Sequence, residues 1–401
     1  MNEEQKTVLV LSVIVYLVML GITIIAPVLP SYAAAFGASV LLIGVLVGSF
    51  AVARVFLDLP AGIFGDKFGN RRIMSIGLLI ICGASLVAGF ALNYFILLIA
   101  RILEGIGSAF YATMSTSYLA KNTRIERRGR YMGVYVGALL LGQVSGPAIG
   151  GILAVSFGLN SPFLFYSLVT GIGFLILRTF IRRDEAVFQQ KPEKGRLVRN
   201  VKTVLSNPSF LLVNVGTLAA FFGRAGVIAT LFPLLASRNF GYDTDTVGLV
   251  LSGVALMSLA TMLPSGIIAD RIGRKIPFAA SLILGGIAAL FVPMASDLAG
   301  LTLAMLFFGL SLGLSGPMAA WAADLSEPRR MGTAMGVYRS IGDAGFLLGP
   351  VILTAIAGAV SVERITVLPF IVCSFWLIVS GVLLLRAEDP AGKRVVVAPA
   401  V

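Results

Sequence analysis

Seven charged side chains lie inside long apolar stretches of this sequence, where ionised groups are costly and are by default functional. They are Arg54, Asp58, Arg101, Glu104, Arg224, Arg339 and Asp343. Burial raises the pKa of a carboxyl group and a neighbouring arginine lowers it, so a carboxylate that changes its arginine contact binds and releases a proton. The chain contains no histidine. Histidine metal sites, histidine triads and a histidine proton relay are therefore excluded, and Asp and Glu are left as proton carriers.

The spacing of these charges indicates which of them can meet. Arg54 and Asp58 are four residues apart, as are Arg339 and Asp343, so each pair can share one face of a helix. We expect Glu104 and Asp58 to be the first proton carriers. A permanent structural salt bridge is the alternative for both carboxylates. For Asp58, about two turns from the end of its apolar stretch, a salt bridge with Arg54 is an equal alternative. The predicted proton-coupling residues are Glu104, Asp58, Asp343, Arg101, Arg54 and Arg339.

Two polar stripes at helical spacing accompany the charges. One follows Arg101 and Glu104 along the same apolar stretch, and the other ends at Arg224. Their further members, which we expect to line a central substrate cavity together with Arg224, are Ser108, Tyr111 and Ser115 in the first stripe and Asn214, Thr217 and Phe221 in the second. For Phe221, contact with lipid or with another helix is the alternative, because the chain has 26 phenylalanines.

Membrane-spanning helices must position these residues. The chain of 401 residues is 58% apolar and 12% charged, with a mean hydropathy of +0.96, whereas soluble domains carry about 25% charged residues. Most of the chain therefore has lipid as its solvent. The net charge of +12 does not indicate nucleic-acid binding, because the basic residues lie between apolar runs rather than in one patch. We expect them to face lipid headgroups.

Twelve apolar stretches are long enough to span a bilayer, which requires about 20 residues each. They cover approximately 7–30, 40–64, 73–92, 94–120, 131–155, 162–181, 208–236, 246–269, 276–296, 298–323, 332–359 and 365–386. With both termini and alternate loops in the cytoplasm, 25 Lys and Arg residues lie on that side and only Arg238 and Arg364 on the other. This bias predicts a multi-pass protein of the cell (inner) membrane with cytoplasmic termini. The acidic leader MNEEQK is not typical of a cleaved signal.

The two halves of the chain are repeats. The run from Pro60 to Gly69 returns 204 residues later as Pro264 to Gly273, and Gly142-x-x-x-Gly146-Pro147 returns after 203 residues. Parallel six-span repeats predict two bundles with a binding site between them. The predicted segments are an N-terminal six-helix bundle over 1–181, a basic cytoplasmic linker over 182–207, a C-terminal six-helix bundle over 208–386 and a cytoplasmic tail over 387–401. None of the seven buried charges has a charged counterpart in the other repeat.

The loop after the second span resembles the Gly-x-x-x-Asp-Arg/Lys-x-Gly-x-Arg/Lys-Arg/Lys signature of the major facilitator superfamily. Its residues are Gly62, Asp66, Lys67, Gly69, Arg71 and Arg72, with Asp270 and Arg271 in the repeat. The resemblance covers nearly the whole chain and implies an all-α membrane protein with twelve transmembrane helices in two pseudo-symmetric six-helix bundles. Spans 3, 6, 9 and 12 lack charges between their ends, which fits that fold's lipid-facing layer. The resemblance also implies a conformational latch; a solvated loop that only enforces topology is the alternative.

Two further motifs resemble those of the twelve-span drug:proton antiporter branch. Arg101-Ile-Leu-Glu104-Gly105-Ile-Gly107 resembles the fourth-span motif of proton-coupled members, with Glu104 in place of the usual Gln. The fifth span resembles the antiporter motif at Gly142, Gly146, Pro147, Gly150 and Gly151. Proline bends a helix and glycines four residues apart allow close helix crossing, so we expect a gate helix. Ordinary packing glycines are the alternative.

These observations predict a proton-coupled secondary transporter that exports small amphiphilic or apolar solutes by alternating access. Four arginines against three acids disfavour simple cations as substrates. The expected partners are the small-molecule substrate, protons and membrane lipids, and we expect a monomer without cofactor or metal. Lipid or glycolipid flipping, proton-coupled uptake of a sugar or metabolite, and a non-transporting membrane sensor stay open. The sequence has no nucleotide-binding loop or nucleophile–base arrangement, so we do not expect an enzyme.

Overall fold

The computed structural model describes residues 3–182, 196–327, 330–361 and 363–390, without the side chains of 59–67, 125–126 and 196–197. Every regular element in these ranges is helical. The first seven helices are α1 (Glu3–Ile24), α2 (Leu29–Ala35), α3 (Val40–Phe68), α4 (Asn70–Gly89), α5 (Tyr94–Lys121), α6 (Ile125–Phe157) and α7 (Ser161–Phe180). They are followed by α8 (Arg196–Leu205), α9 (Pro208–Gly223), α10 (Phe232–Phe240), α11 (Thr244–Ile272), α12 (Lys275–Phe291), α13 (Leu298–Gly313), α14 (Met318–Asp324), α15 (Met331–Val360) and α16 (Leu368–Leu384).

Eleven helical segments of the described chain are long and apolar enough to cross a membrane. A twelfth, α16, is also apolar but has only 17 residues. The all-α membrane fold predicted from the sequence is confirmed. Its last span is shorter than the predicted 365–386.

Two predicted spans are interrupted by turns. In the first, predicted over 7–30, α1 ends at Ile24 and α2 begins only at Leu29. Pro27 lies in the turn, where it cannot donate the hydrogen bond that would continue the helix. In the tenth, predicted over 298–323, α13 ends at Gly313 and α14 follows Pro317.

The chain divides into two compact units. The first contains described residues 3–182 and 242–252, and the second contains 196–241 and the described residues from 253 onward. In the first unit α5 packs against α3 and α4, and α1 packs against α6 and α7. In the second unit α15 packs against α9, and α12 packs against α16. The first turns of α11 thus belong to the first unit.

The helices α5 and α13 begin with the same type of N-cap. The Asn93 side chain accepts the Ile96 N–H at 3.0 Å, and the Asp297 side chain accepts the Gly300 N–H at 2.8 Å. Such caps satisfy backbone donors that the first helical turn leaves unpaired. Since the two caps are 204 residues apart, residues of these helices can be compared one by one across the repeat.

Candidate functional site

A buried ion pair lies in the N-terminal half of α5. The Glu104 residue is 0% exposed and Arg101 5%, and Arg101 Nη1 contacts Glu104 Oε2. The other carboxylate oxygen, Oε1, accepts a hydrogen bond of 2.7 Å from the Ser85 hydroxyl on α4. Both oxygens of the carboxylate are therefore held by donors inside the first unit. Charge-assisted hydrogen bonds of this type are the strong ones in proteins.

The glycines of the fourth-span motif bring the neighbouring helices to this pair. A Cβ added at Gly105 would overlap the carbonyl oxygen of Phe50 on α3, and one added at Gly107 would lie 2.5 Å from the carbonyl oxygen of Gly77 on α4. Glycine is thus required at both positions for α3 and α4 to approach α5 this closely. The close approach to α4 brings the Ser85 hydroxyl within reach of Glu104.

A second charged pair lies beside the first, on α3. Arg54 Nη2 is 3.7 Å from Asp58 Oδ2, as their four-residue spacing predicts, and Arg54 Nη1 donates to the Ser108 hydroxyl at 3.0 Å. The Asp58 side chain is 2% exposed and that of Arg54 20%. The guanidinium carbons of Arg54 and Arg101 lie 5.8 and 4.9 Å from the centre of the Phe50 ring. The two guanidinium groups thus contact the same aromatic ring. Such cation–π contacts are more favourable when the cation is desolvated.

The polar stripe on α5 lies in the packed interior of the first unit. Ser108 and Tyr111 are each 1% exposed, and Ser115 is 0% exposed. The Ser115 hydroxyl is 2.7 Å from the Tyr135 hydroxyl on α6. These contacts place the stripe among helix–helix contacts, and its role in substrate binding stays a prediction.

The stripe on α9 ends in an unusual helical segment. Asn214 and Thr217 are buried and donate to the carbonyls of Phe210 and Val213 in their own helix, at 2.8 and 2.9 Å. Residues Arg224–Leu231 form a π-helix, in which the Thr230 hydroxyl donates to a carbonyl five residues earlier. Such segments are rare and occur often at functional sites. No residue type marks a π-helix, so this segment could not be predicted from the sequence.

In the second unit, Gly342 on α15 faces Phe221. A Cβ added at Gly342 would lie 3.3 Å from the Phe221 ring. The neighbouring Asp343 is 6% exposed, whereas Arg339, one turn earlier, is exposed. The two members of this predicted pair thus differ in their surroundings.

The glycines of the predicted gate helix pack against α1. Cβ atoms added at Gly142 and Gly146 would lie 2.7 and 2.9 Å from the carbonyl oxygens of Tyr16 and Leu20. One added at Gly150 would overlap the carbonyl oxygen of Ile24. The motif therefore builds a close helix pair inside the first unit.

A neighbouring face of the same helix meets the first turns of α11. Cβ atoms at Gly151 and Gly248 would overlap the carbonyl oxygens of Thr244 and Pro147. The Ala148 N–H, next to the proline, donates to the Ser252 hydroxyl at 2.9 Å. Pro147 lies within α6, as predicted. A role in gating for the contact between α6 and α11 stays a prediction.

The predicted latch lies partly outside the described residues. The side chains of Asp66 and Lys67 and the surroundings of Gly62 are not described. Gly69 has a φ of 85°, and its repeat counterpart Gly273 has a φ of 93°. Residues with a Cβ rarely adopt such positive φ angles.

The described arginines of the latch loops differ in their contacts. Arg71 donates to the Arg178 carbonyl at 2.6 Å. Arg274, which is not among the predicted latch residues, pairs with Asp324 at 2.8 Å. The latch residues Arg72, Asp270 and Arg271 are exposed.

Two residues of the site were missed by sequence reasoning. Ser85 and Tyr166 are both 0% exposed, and the Tyr166 hydroxyl on α7 lies within electrostatic range of Glu104, Arg101 and Arg54. Gly21 on α1 makes room for the Tyr166 ring, which a Cβ at that position would overlap. Neither residue carries a formal charge, so neither stands out in the sequence as a charged residue within an apolar run does.

Comparison with known proteins gives consistent matches. The profile of the Major Facilitator Superfamily matches residues 11–235 and 213–400. An uncharacterized MFS-type transporter of Methanocaldococcus jannaschii is 28% identical over 88% of this chain and 91% of its own length. Multidrug resistance protein 2 of Bacillus subtilis is 25% identical over 94% of each chain. A crystal structure of a bacterial homologue of the human lysosomal transporter Spinster, inward-facing and unoccupied, aligns with a TM-score of 0.79 at 15% identity over 100% of this chain and 99% of that one.

Proposed function

The chain belongs to the Major Facilitator Superfamily of membrane transporters, and from that premise we propose that it exports small amphiphilic or apolar solutes in exchange for protons. The transporter class is common to its relatives, and the protein is a multi-pass membrane protein that is not an enzyme. The name of the Bacillus subtilis relative, a multidrug resistance protein, supports the choice of substrate class. We further propose a monomer in the cell membrane with cytoplasmic termini.

The observation that carries the proposal is a difference between the two repeats. Gly309 packs against the Val254 carbonyl in the second unit as Gly105 packs against the Phe50 carbonyl in the first. Gly309 follows Gly105, and Val254 follows Phe50, by the same 204 residues.

At the same spacing, the second unit has apolar residues where the first has the ion pair. Met305 stands in the place of Arg101 and Phe308 in the place of Glu104, and they are 0% and 1% exposed. Equivalent helix packing is thus achieved without charge. Replacing a buried ion pair by apolar residues is often neutral or stabilising, so packing alone does not account for the pair.

The proposed mechanism uses a change of partner at Glu104. When the carboxylate is ionised, Arg101 and Ser85 hold it in the first unit. When a proton arrives from the side of higher proton activity, the neutral carboxyl no longer needs Arg101 as a counter-ion. Arg101 can then reorient, and this favours a different arrangement of the helices. In each cycle the protein binds protons from one side of the membrane and solute from the other. It alternates between the two open states as the exchange repeats.

The remaining charges have accessory roles in the proposal. Asp58 and Asp343 are further proton carriers, with Arg54 and Arg339 as their basic neighbours, and Arg224 contacts the substrate. The latch residues and the gate helix α6 couple proton binding to movement. The proposal covers cationic, neutral and anionic amphiphiles, and the excess of arginine disfavours simple cations as substrates.

Transport in energised inverted vesicles tests the direction and the energy source. The probes are lipophilic dyes of cationic, neutral and anionic character. We expect at least one dye to accumulate inside the vesicles, and we expect an uncoupler that collapses the proton gradient to abolish this accumulation. Accumulation that persists with the uncoupler, or that occurs only in right-side-out vesicles, would contradict proton-driven export.

A further inference from the structure

We infer that Ser85 and Tyr166 complete a closed proton-binding site around Glu104 inside the first unit. Ser85 serves the ionised carboxylate and Tyr166 the protonated carboxyl. The inference rests on the proposed function and adds two positioning residues to it. The two residues lie on α4 and α7, the third and sixth spans, which are expected to be in the lipid-facing layer.

The ionised state is the one that the described contacts satisfy. Ser85 donates to Glu104 Oε1 at 2.7 Å, and Arg101 is on Oε2. Ser85 and Glu104 are both 0% exposed, so the described protein groups supply the donors for this carboxylate. A donor to the ionised form of a carboxyl favours that form.

The protonated state needs an acceptor, and Tyr166 can provide one. Arginine has donors only, so a carboxyl O–H at Oε2 must find a hydroxyl or carbonyl oxygen. The Tyr166 hydroxyl is fully buried, has no hydrogen-bond partner among the described residues, and lies within electrostatic range of Glu104. A proton that binds Oε2 as Arg101 departs makes a carboxyl O–H, which can donate a hydrogen bond to the Tyr166 oxygen. No covalent bond other than O–H is formed.

The other charged or titratable groups near Glu104 are few among the described residues. On its own helix the group is Arg101. On α3 they are Arg54 and Asp58, which pair with each other at 3.7 Å. On α4 the Cys82 thiol is turned to Ser167 on α7, with the sulfur and the hydroxyl oxygen 3.5 Å apart.

The repeat indicates that this hydroxyl is dispensable for packing. Ala289 stands 204 residues after Ser85 and is also fully buried. A Ser85→Ala variant therefore introduces a residue that the related position of the same fold already accepts. Tyr166→Phe removes one oxygen atom and keeps the ring beside Gly21.

The test is a pH titration of the reconstituted protein followed by infrared difference spectroscopy, with protons as the only probe. The band of a protonated carboxyl that disappears in Glu104→Gln identifies Glu104. We expect Ser85→Ala to move the midpoint of this band by about one to two pH units toward alkaline pH, because a donor to the ionised form is lost. We expect Tyr166→Phe to move it toward acid pH, because an acceptor for the neutral form is lost.

The controls make the same chemical changes at other buried sites of the first unit. Ser49→Ala removes a hydroxyl that donates to the Leu46 carbonyl at 2.7 Å, and Tyr32→Phe removes one that donates to the Ala88 carbonyl at 3.1 Å. Both are expected to titrate as the wild type does. Ser85→Cys, with a much weaker donor, is expected to resemble Ser85→Ala and serves if the alanine variant does not fold.

Each outcome decides the inference. An alkaline shift in Ser85→Ala together with an acid shift in Tyr166→Phe supports it, and a shift of the reverse sign in either variant overturns it. Wild-type midpoints in both variants, or shifts of one sign in all four, overturn it and leave the proposed function intact. If Glu104→Gln removes no titrating band, Glu104 is not the proton carrier, and the inference fails together with that part of the proposed function.

Discussion

Leu353 on α15 packs against Gly226 so closely that a Cβ on the glycine would overlap the leucine side chain. In the first unit the corresponding contact joins Gly150 on α6 to Ile24 on α1. Ile24 precedes Gly226 by 202 residues, and Gly150 precedes Leu353 by 203. The large and the small residue have thus exchanged helices between the repeats. The glycine of the first unit lies against the Ile24 backbone carbonyl, whereas the glycine of the second unit lies against the Leu353 side chain.

This exchange predicts how substitutions combine. Gly226→Leu should lower the free energy of unfolding by about 1–3 kcal/mol, because it overpacks the crossing. Gly226→Leu with Leu353→Ala should be more stable than Gly226→Leu alone, since the second change makes room for the first. Thermal unfolding of the purified protein in detergent measures both. Gly266→Leu, where no atom lies within 4 Å of an added Cβ, is the control, and additive losses in the double variant would contradict the predicted compensation.

The buried pair on α5 predicts a large coupling energy. Arg101→Met should destabilise the protein by about 3–5 kcal/mol, because it leaves a buried carboxylate without its counter-ion. Adding Glu104→Gln should recover much of this loss. A double-mutant cycle by thermal unfolding gives the coupling energy between the two residues.

The matched control for this cycle is the pair of Arg330 and Glu327. They lie 3.0 Å apart with side chains 30% and 65% exposed, so their coupling should stay below about 1 kcal/mol. A coupling energy for Arg101 and Glu104 as small as that of the control would indicate that the buried pair is not closely held in solution.

The contact between α6 and α11 predicts a functional effect of glycine substitution. Gly151→Val would place a branched side chain against the Thr244 carbonyl, so every conformation containing this contact is disfavoured. A bias of about 1–3 kcal/mol corresponds to a shift of about 5–150-fold between conformations. Dye transport in inverted vesicles should fall accordingly. Gly137→Val, on the same helix with no atom within 4 Å of an added Cβ, should transport normally, and equal losses in both would argue against a specific contact.

The spans, the repeat and the family could be predicted from the sequence because each depends on a pattern along the chain. Apolar length gave the spans, and the spacing from Pro60 to Pro264 gave the repeat. The interruption between α1 and α2 was missed, although Pro27 lies within it. A run of apolar residues has the same hydropathy whether it is helical or turned, and hydropathy defined the span boundaries.

The candidate site could be predicted only in part. Arg101 and Glu104 were found because charge in an apolar run is rare. Ser85 and Tyr166 were not, since their types are common and their importance arises from contacts between different helices. The π-helix from Arg224 to Leu231 depends on local backbone packing, and no residue type specifies it.

The most direct test of the central claim is proton release from the purified protein on addition of a dye that the vesicle experiment identifies as transported. We expect the wild type to release protons, and we expect Glu104→Gln, alone or with Asp58→Asn, to release few or none. Glu363→Gln, a change at an exposed position, should behave as the wild type. Undiminished release from the Glu104→Gln, Asp58→Asn double variant would contradict the assignment of the proton carriers.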